Sequence, residues 1–329
     1  MISRRDLLAA LSLLAVAPPG ALAQAPAKIW RVGFLSQGRL EFAESDHIYG
    51  PFTQGMRELG YIAGKNVVIE WRSADGNLAR LPELAAELMR INVDLIVTVA
   101  TPAALAAQKA TTTIPIVMLN LADPVGAGLV KSLARPGGNS TGISMMGADL
   151  APKLLEMIRA MVRGLTRVAL LFNPANPTQV LVLKNVRDAA PKLGVRIQAV
   201  GASSPGEIAS GFARLTRQNT DGIIVLQDPL FLQQRQQIIE LVAKQRLPSI
   251  ALNSEFVGAG GLMSYGPNVA ENYRRAAIYI DKIFKGAKPG VLPVEQPTKF
   301  ELAINLKTAK ALGIKVPHSI LIQATKVIE

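Results

Sequence analysis

Short β-branched runs alternate with longer stretches of helical period along most of the chain. Residues 30–36, 67–73, 94–99 and 116–119 predict strands, and 52–59, 80–91 and 102–110 predict the helices between them. Leu81, Leu84, Ala85, Leu88 and Met89 recur at three- and four-residue steps, the spacing of one buried helix face. Residues 94–99 form a nearly continuous apolar run, as a strand covered on both sides requires. Strand and helix alternating in this way imply a parallel, doubly wound sheet.

A Gly-rich break, Pro136-Gly137-Gly138-Asn139, and a short run at 142–144 precede a second round of the same pattern. Helices are expected at 150–162, 177–189 and 229–246, with strands at 167–172, 195–200, 222–226 and 249–252. Ser204-Pro205-Gly206-Glu207 opens another helix with a capping box, and Pro191 should end the helix before it. The fold class is therefore α/β: two doubly wound parallel-sheet units in tandem, each of about 110 residues, within the usual domain range. A strand at 262–265, a helix at 268–284, a Pro-rich link and a strand at 299–306 remain. They are too little for a third domain and must complete the first two, so the chain crosses between lobes more than once.

Four expected strands end in a helix-capping residue followed by proline: Thr101-Pro102, Asp123-Pro124, Asn176-Pro177 and Asp228-Pro229. Thr, Asp and Asn accept hydrogen bonds from the free N–H groups of a first helical turn, where Pro is tolerated. Capping alone accounts for all four. In open α/β sheets, however, ligands bind outside these strand ends, where helix N-termini also offer N–H donors to an anion. Two such sheets facing one another would form a cleft lined from both sides.

The segments Thr101-Pro102-Ala103-Ala104, Ile114-Pro115-Ile116-Val117, Asp123-Pro124-Val125-Gly126 and Arg135-Pro136-Gly137-Gly138-Asn139-Ser140-Thr141-Gly142 belong to one pattern. Gly260-Gly261-Leu262-Met263-Ser264-Tyr265-Gly266 and Glu295-Gln296-Pro297-Thr298-Lys299-Phe300-Glu301-Leu302 continue it. Together they resemble the ABC transporter substrate-binding family that includes tryptophan/tyrosine-type binding proteins, over about residues 29–329. The resemblance implies a type I periplasmic-binding-protein fold: two lobes, a multi-strand hinge of three crossovers, and closure around a solute. It implies lobe 1 at 28–147 plus about 261–293, and lobe 2 at 148–260 plus about 294–329.

The same resemblance puts Ser36, Gln37, Thr101, Pro102 and Asp123 in the cleft from lobe 1. From lobe 2 it implies Asn173, Asn176, Gln227 and Asp228, with Asn253, Glu255 and Tyr265 near the crossovers. Ser36 is equally readable as a strand end, Asp123 as a turn residue, and Thr101 as a cap that still aims N–H groups into the cleft. An amino-acid-like ligand is implied, its carboxylate at the Thr101 helix start and its ammonium near Asp228 or Glu255. Asp228 is the first candidate for that ammonium, although a carboxylate busy capping its own helix is a weaker partner. Tyr265, Phe34 and Phe231 could form an aromatic floor, although single aromatics near strands are usually core.

The residue inventory opposes catalysis. His47 and His318 are the two histidines, far apart, and there is no cysteine, so no His/Cys metal cluster or thiol nucleophile is available. No Gly-x-Ser-x-Gly elbow or phosphate-binding loop occurs, and Gly126-x-Gly128 and Gly258-x-Gly260 lack a dinucleotide fingerprint. No cofactor or metal is expected. The competing readings are a sensory binding protein that shows its closed form to a receptor, and a two-domain transferase using the same cleft.

At the start of the chain Arg4-Arg5 precede an apolar run at 7–17 and then Ala21-Leu22-Ala23, the order of an export signal cleaved after Ala23. The run is short of the about 20 residues that span a bilayer. A periplasmic location follows, with the twin-arginine and general secretory routes both open. Without cysteines the exported protein has no disulfides, so its core must supply the stability. The formal charge of +12 raises nucleic acid or an anionic membrane as partners. The Lys and Arg residues are scattered singly, though, which describes a solvated surface and no nucleic-acid partner. The expected partners are a small solute and a membrane permease, met by a monomer.

Overall fold

The computed structural model describes residues 28–38, 49–215 and 220–329. The expected export signal at 1–23, and His47, lie outside them. The first round of alternation becomes β1 (Trp30–Ser36), α1 (Gly50–Glu58), β2 (Val67–Ser73), α2 (Leu81–Arg90), β3 (Leu95–Val99), α3 (Thr101–Ala110), β4 (Ile116–Leu121) and β5 (Ser140–Ser144). These five strands form one sheet in the order β2-β1-β3-β4-β5, all pairs parallel. Period-two alternation assigns its faces. Val117 and Leu119 of β4 join the apolar cluster with Val32 and Phe34, while Ile116 and Met118 join the opposite cluster with Leu35 and Leu88.

The second round gives α4 (Gly147–Met161), β6 (Arg167–Phe172), α5 (Pro177–Ala189), β7 (Arg196–Gly201), α6 (Pro205–Ala213), β8 (Gly222–Val225), α7 (Pro229–Gln233), α8 (Arg235–Gln245), β9 (Ser249–Ala251) and α9 (Glu255–Gly258). There follow β10 (Met263–Pro267), α10 (Val269–Phe284), β11 (Phe300–Asn305), α11 (Leu306–Leu312), α12 (His318–Leu321) and β12 (Lys326–Ile328). The second sheet runs β12-β11-β10-β9-β8-β6-β7, parallel except where β10 meets β11. It too carries a separate apolar cluster on each face. Each fully buried Leu, Ile, Val or Phe contributes on the order of 1.5–3 kcal/mol. Four such clusters stand in for the absent disulfides.

The chain passes between the sheets three times: after β5 at Met145-Met146, after β10 at Asn268, and between Glu295 and β11. The second passage lies later than the expected boundary near 261. Met263 pairs with Ile250 of β9 and with Ile304 of β11, so β10 belongs to the second sheet. The return to the first lobe begins only with α10, where Tyr273, Ala276 and Ile280 enter the cluster around Phe34. A short buried strand carries no mark of which sheet it joins, so the expected boundary near 261 falls before β10 instead of after it. At the third passage Glu295 extends the first sheet, donating to Gly142 O at 2.9 Å and accepting from Ser144 N at 2.9 Å.

Candidate functional site

The carboxyl ends of both sheets face each other, and Asp228 lies where they meet. Its carboxylate caps α7, accepting from Leu230 N at 3.0 Å on Oδ1. Oδ1 also accepts from Asn173 Nδ2 (3.3 Å) and, across the gap, from Gln37 Nε2 of the first lobe (3.2 Å). Oδ2 accepts from Gln179 Nε2 (3.0 Å) and Asn176 Nδ2 (3.4 Å). All five donors are neutral. Asp228 is 1 % exposed, and burial pushes its carboxyl above the ordinary carboxylate range despite these hydrogen bonds. The arrangement is a buried negative charge held by dipoles without a cation, which costs free energy until one arrives.

A cavity of about 80 Å³ opens beside it. Its lining from the first lobe is Tyr49, Val99, Asn120, Val269 and Tyr273, and from the second Gln227, Asp228, Leu232, Gln233, Arg235 and Asn253 among others. Two backbone positions on the first-lobe side hold φ above zero. Ala100, directly after β3, has φ 68° and ψ 163°, a region that disfavours any side chain, and its N–H donates to Leu119 O at 3.0 Å. Asn120 has φ 58° and accepts from Asn272 Nδ2 at 3.1 Å. Strain of about 1–3 kcal/mol at each such residue is characteristic of ligand clamps. The Asn253 side chain presents a buried Nδ2 with no partner among the described residues.

Six expected residues converge here: Gln37, Asn173, Asn176, Gln227, Asp228 and Asn253. Ser36 stands one step back; its Oγ accepts from Gly38 N and lies 3.4 Å from the Tyr49 hydroxyl. Thr101 is displaced from its expected role. The cap of α3 is Ala100, without a side-chain hydrogen bond, and Thr101 is the first helical residue, followed by Pro102. Its hydroxyl accepts from Thr178 Oγ1 of the second lobe at 2.9 Å, both side chains being buried. Thr101 thus forms part of the lobe-to-lobe contact instead of the cavity wall.

Asp123 caps no helix. Its Oδ1 accepts from Gly126 N at 2.8 Å within a turn, outside the cavity lining. Glu255 begins α9 and lies off that lining, one carboxylate oxygen buried and unpaired among the described residues. No aromatic floor forms. Tyr265 stacks on Phe300 at 5.7 Å, Phe34 packs in the first-lobe core and Phe231 in the second.

Tyr49, Asn120, Tyr273 and Arg235 were not anticipated. Arg235 owes its place to a break in the helix expected at 229–246. Gln234, at φ −89° and ψ 17°, separates α7 from α8, and Leu232, Gln233 and Arg235 at the break all face the cavity. One off-helix residue leaves no trace in the apolar period. Among the described residues there is no cluster of His, Cys, Asp or Glu able to hold a metal, and no helix long and apolar enough to cross a membrane.

The fold and this cleft have counterparts. The profile of the ABC transporter substrate binding protein family matches residues 40–328. A tyrosine-binding protein of Clostridioides difficile (strain R20291) is 28% identical over 265 residues, covering 80% of this chain and 76% of the relative. An ABC domain from Streptococcus pneumonia, solved in complex with L-Trp, superposes with a TM-score of 0.82 at 28% identity, covering 91% of this chain and 99% of the other. A conserved domain protein from Vibrio cholerae reaches 0.85 at 28% identity, covering 91% and 100%. With a type I periplasmic-binding-protein fold and a profile match over most of its length, the chain belongs to the ABC transporter substrate-binding protein family.

Proposed function

We propose that this protein is the extracytoplasmic component of an ABC-type importer, and that it captures an amino-acid-like solute between its lobes by hinge closure. The observation that carries the reading is Asp228, a buried carboxylate surrounded by neutral donors at the edge of the cavity. A ligand ammonium supplies the missing positive charge, and a charge-assisted hydrogen bond of this kind is about twice as strong as a neutral one. The tyrosine-binding relative and the L-Trp complex support the ligand class. Contacts such as Gln37 to Asp228 and Thr101 to Thr178 give the closed form lobe-to-lobe bonds that an open form lacks. A solute touching both lobes shifts the equilibrium by its differential affinity for that form, and the permease would read the closed shape.

A thermal-shift and calorimetry panel of L-amino acids, their deaminated analogues and sugars tests the proposal. A ligand at 100 times its Kd raises the unfolding free energy by about 2.7 kcal/mol. The reading requires such a rise for at least one α-amino acid, and a smaller one for its deaminated counterpart. Sugar binding with no response to any amino acid would refute it.

A further inference from the structure

The cavity wall is divided by charge. The first lobe contributes two tyrosines, two valines and Asn120, all uncharged at neutral pH. Both charged side chains, Asp228 and Arg235, come from the second lobe, seven positions apart across the break between α7 and α8. Arg235 is half-buried, and its one hydrogen bond among the described residues runs from Nη1 to Leu232 O at 3.0 Å. A guanidinium has five N–H donors in a planar fork that matches a carboxylate. Here most of that fork is uncommitted, on the wall of a cavity whose other charge is a buried anion.

Resting on the amino-acid reading above, we infer that Arg235 is the anchor for the ligand's α-carboxylate, so that the second lobe alone holds both ends of the zwitterion and the first lobe reads the side chain. The geometry gives this division a kinetic meaning. Asp228 and Arg235 sit on one continuous segment, so their separation is the same whether the lobes are apart or together. The zwitterion docks on the open second lobe. Closure then brings Tyr49, Tyr273 and Val99 against whatever the α-carbon carries. Backbone-like recognition is common to every amino acid, and discrimination among them is exerted by the lobe that arrives second. Thr101, tied to Thr178, is not needed for the carboxylate.

Calorimetry with three probes tests the assignment: L-tyrosine, tyramine, which lacks the carboxylate, and 3-(4-hydroxyphenyl)propionate, which lacks the ammonium. Native protein should prefer L-tyrosine to tyramine by a factor on the order of 10², the range for a desolvated charge pair. Arg235→Gln should weaken L-tyrosine by about that factor and leave tyramine unchanged, collapsing the ratio towards one, while Arg235→Lys keeps part of it. Tyr49→Leu should change the ranking among amino acids while preserving the ratio between L-tyrosine and tyramine. If Arg235→Gln keeps the native ratio with its melting point intact, the carboxylate is anchored elsewhere and the inference is wrong. If native protein binds no α-amino acid, the reading beneath it fails and the assignment falls with it.

Discussion

Replacing Thr101 by valine isolates closure from ligand contact, because Thr101 lies in the lobe-to-lobe contact and not on the cavity wall. Valine has nearly the same shape and keeps the β-branch at the first position of α3. On the closure reading proposed above, both threonine hydroxyls meet water in the open form, so the substitution should leave that state little changed. In the closed form Thr178, 4 % exposed, is left with a buried hydroxyl facing a methyl group. A buried donor deprived of its acceptor costs about 1–3 kcal/mol. That cost falls on the closed state alone, so it passes into the apparent affinity, a weakening of about 5- to 150-fold.

The reverse half of the experiment is the sharper one. When both partners become apolar groups of the same shape, the loss is nearly abolished. Thr101→Val with Thr178→Val should therefore regain most of the affinity that the single change removes. Titration calorimetry with L-tyrosine on the native, single and double variants measures this, with melting points of the ligand-free proteins as a control. Native affinity in the single variant would refute the claim that closure carries the binding. A double variant no better than the single would place Thr101 on the ligand itself.

Other outcomes follow from the same geometry. Asp228→Ala should weaken a zwitterionic ligand by about 2–5 kcal/mol, more than 30-fold, with the far-ultraviolet dichroism unchanged; native affinity would remove the ammonium assignment. Because burial raises the Asp228 carboxyl above its ordinary value of 3.8, the stability it lends the ligand-free fold is complete below that pH and lost as the pH rises through the folded value. An ammonium favours the ionised form, so affinity should rise over that interval. Asp228→Asn, which cannot ionise, should flatten the calorimetric profile. Gly142→Ala should abolish stable folding, since φ is 143° there and an added Cβ would stand 2.0 Å from Met118 O; a soluble variant with a native melting point would contradict the β4–β5 geometry.

Much of the architecture was legible because parallel strands buried on both faces are unbroken apolar runs. Residues 167–172 are bounded correctly at both ends on that ground; 30–36 and the edge strand 67–73 are bounded correctly too, although 67–73 is only partly buried and carries Glu70 and Arg72. Where legibility failed, the competing force was tertiary. The strand β12 is three residues long, and its Lys326 and Val327 are exposed, so neither length nor alternation distinguished it from a tail. It exists because β11 offers an edge, pairing Ile304 with Val327. Similarly, β10 is legible as a strand but not its sheet, since membership is decided by its pairing partners, Ile250 and Ile304 against Met263.

The site was legible where chemistry and topology coincide, at strand ends carrying Asn173, Asn176, Gln227 and Asp228. It was opaque where a residue serves two purposes. Tyr273 lies on the buried face of α10 and counts as core by its spacing, yet part of its surface bounds the cavity. Tyr49 precedes α1 as a half-turn residue and meets Phe34 edge-on at 5.7 Å, another core signature.

Asp228 resolves the same ambiguity in the opposite direction. A capping carboxylate was expected to be a poor partner for an ammonium, on the supposition that its hydrogen-bond capacity is spent. The cap uses one donor, Leu230 N, and the other four contacts are amides. Dipoles orient and solvate a charge without cancelling it, so an ionised Asp228 keeps its full negative charge however many amides surround it. Capping and ligand binding are therefore compatible duties of one side chain. The cap fixes the carboxylate at the strand end in every state, and the uncancelled charge makes the ligand-free protein less stable than a neutral site would. On the reading proposed above, an arriving ammonium would recover that difference and tie affinity to a weakness of the empty fold.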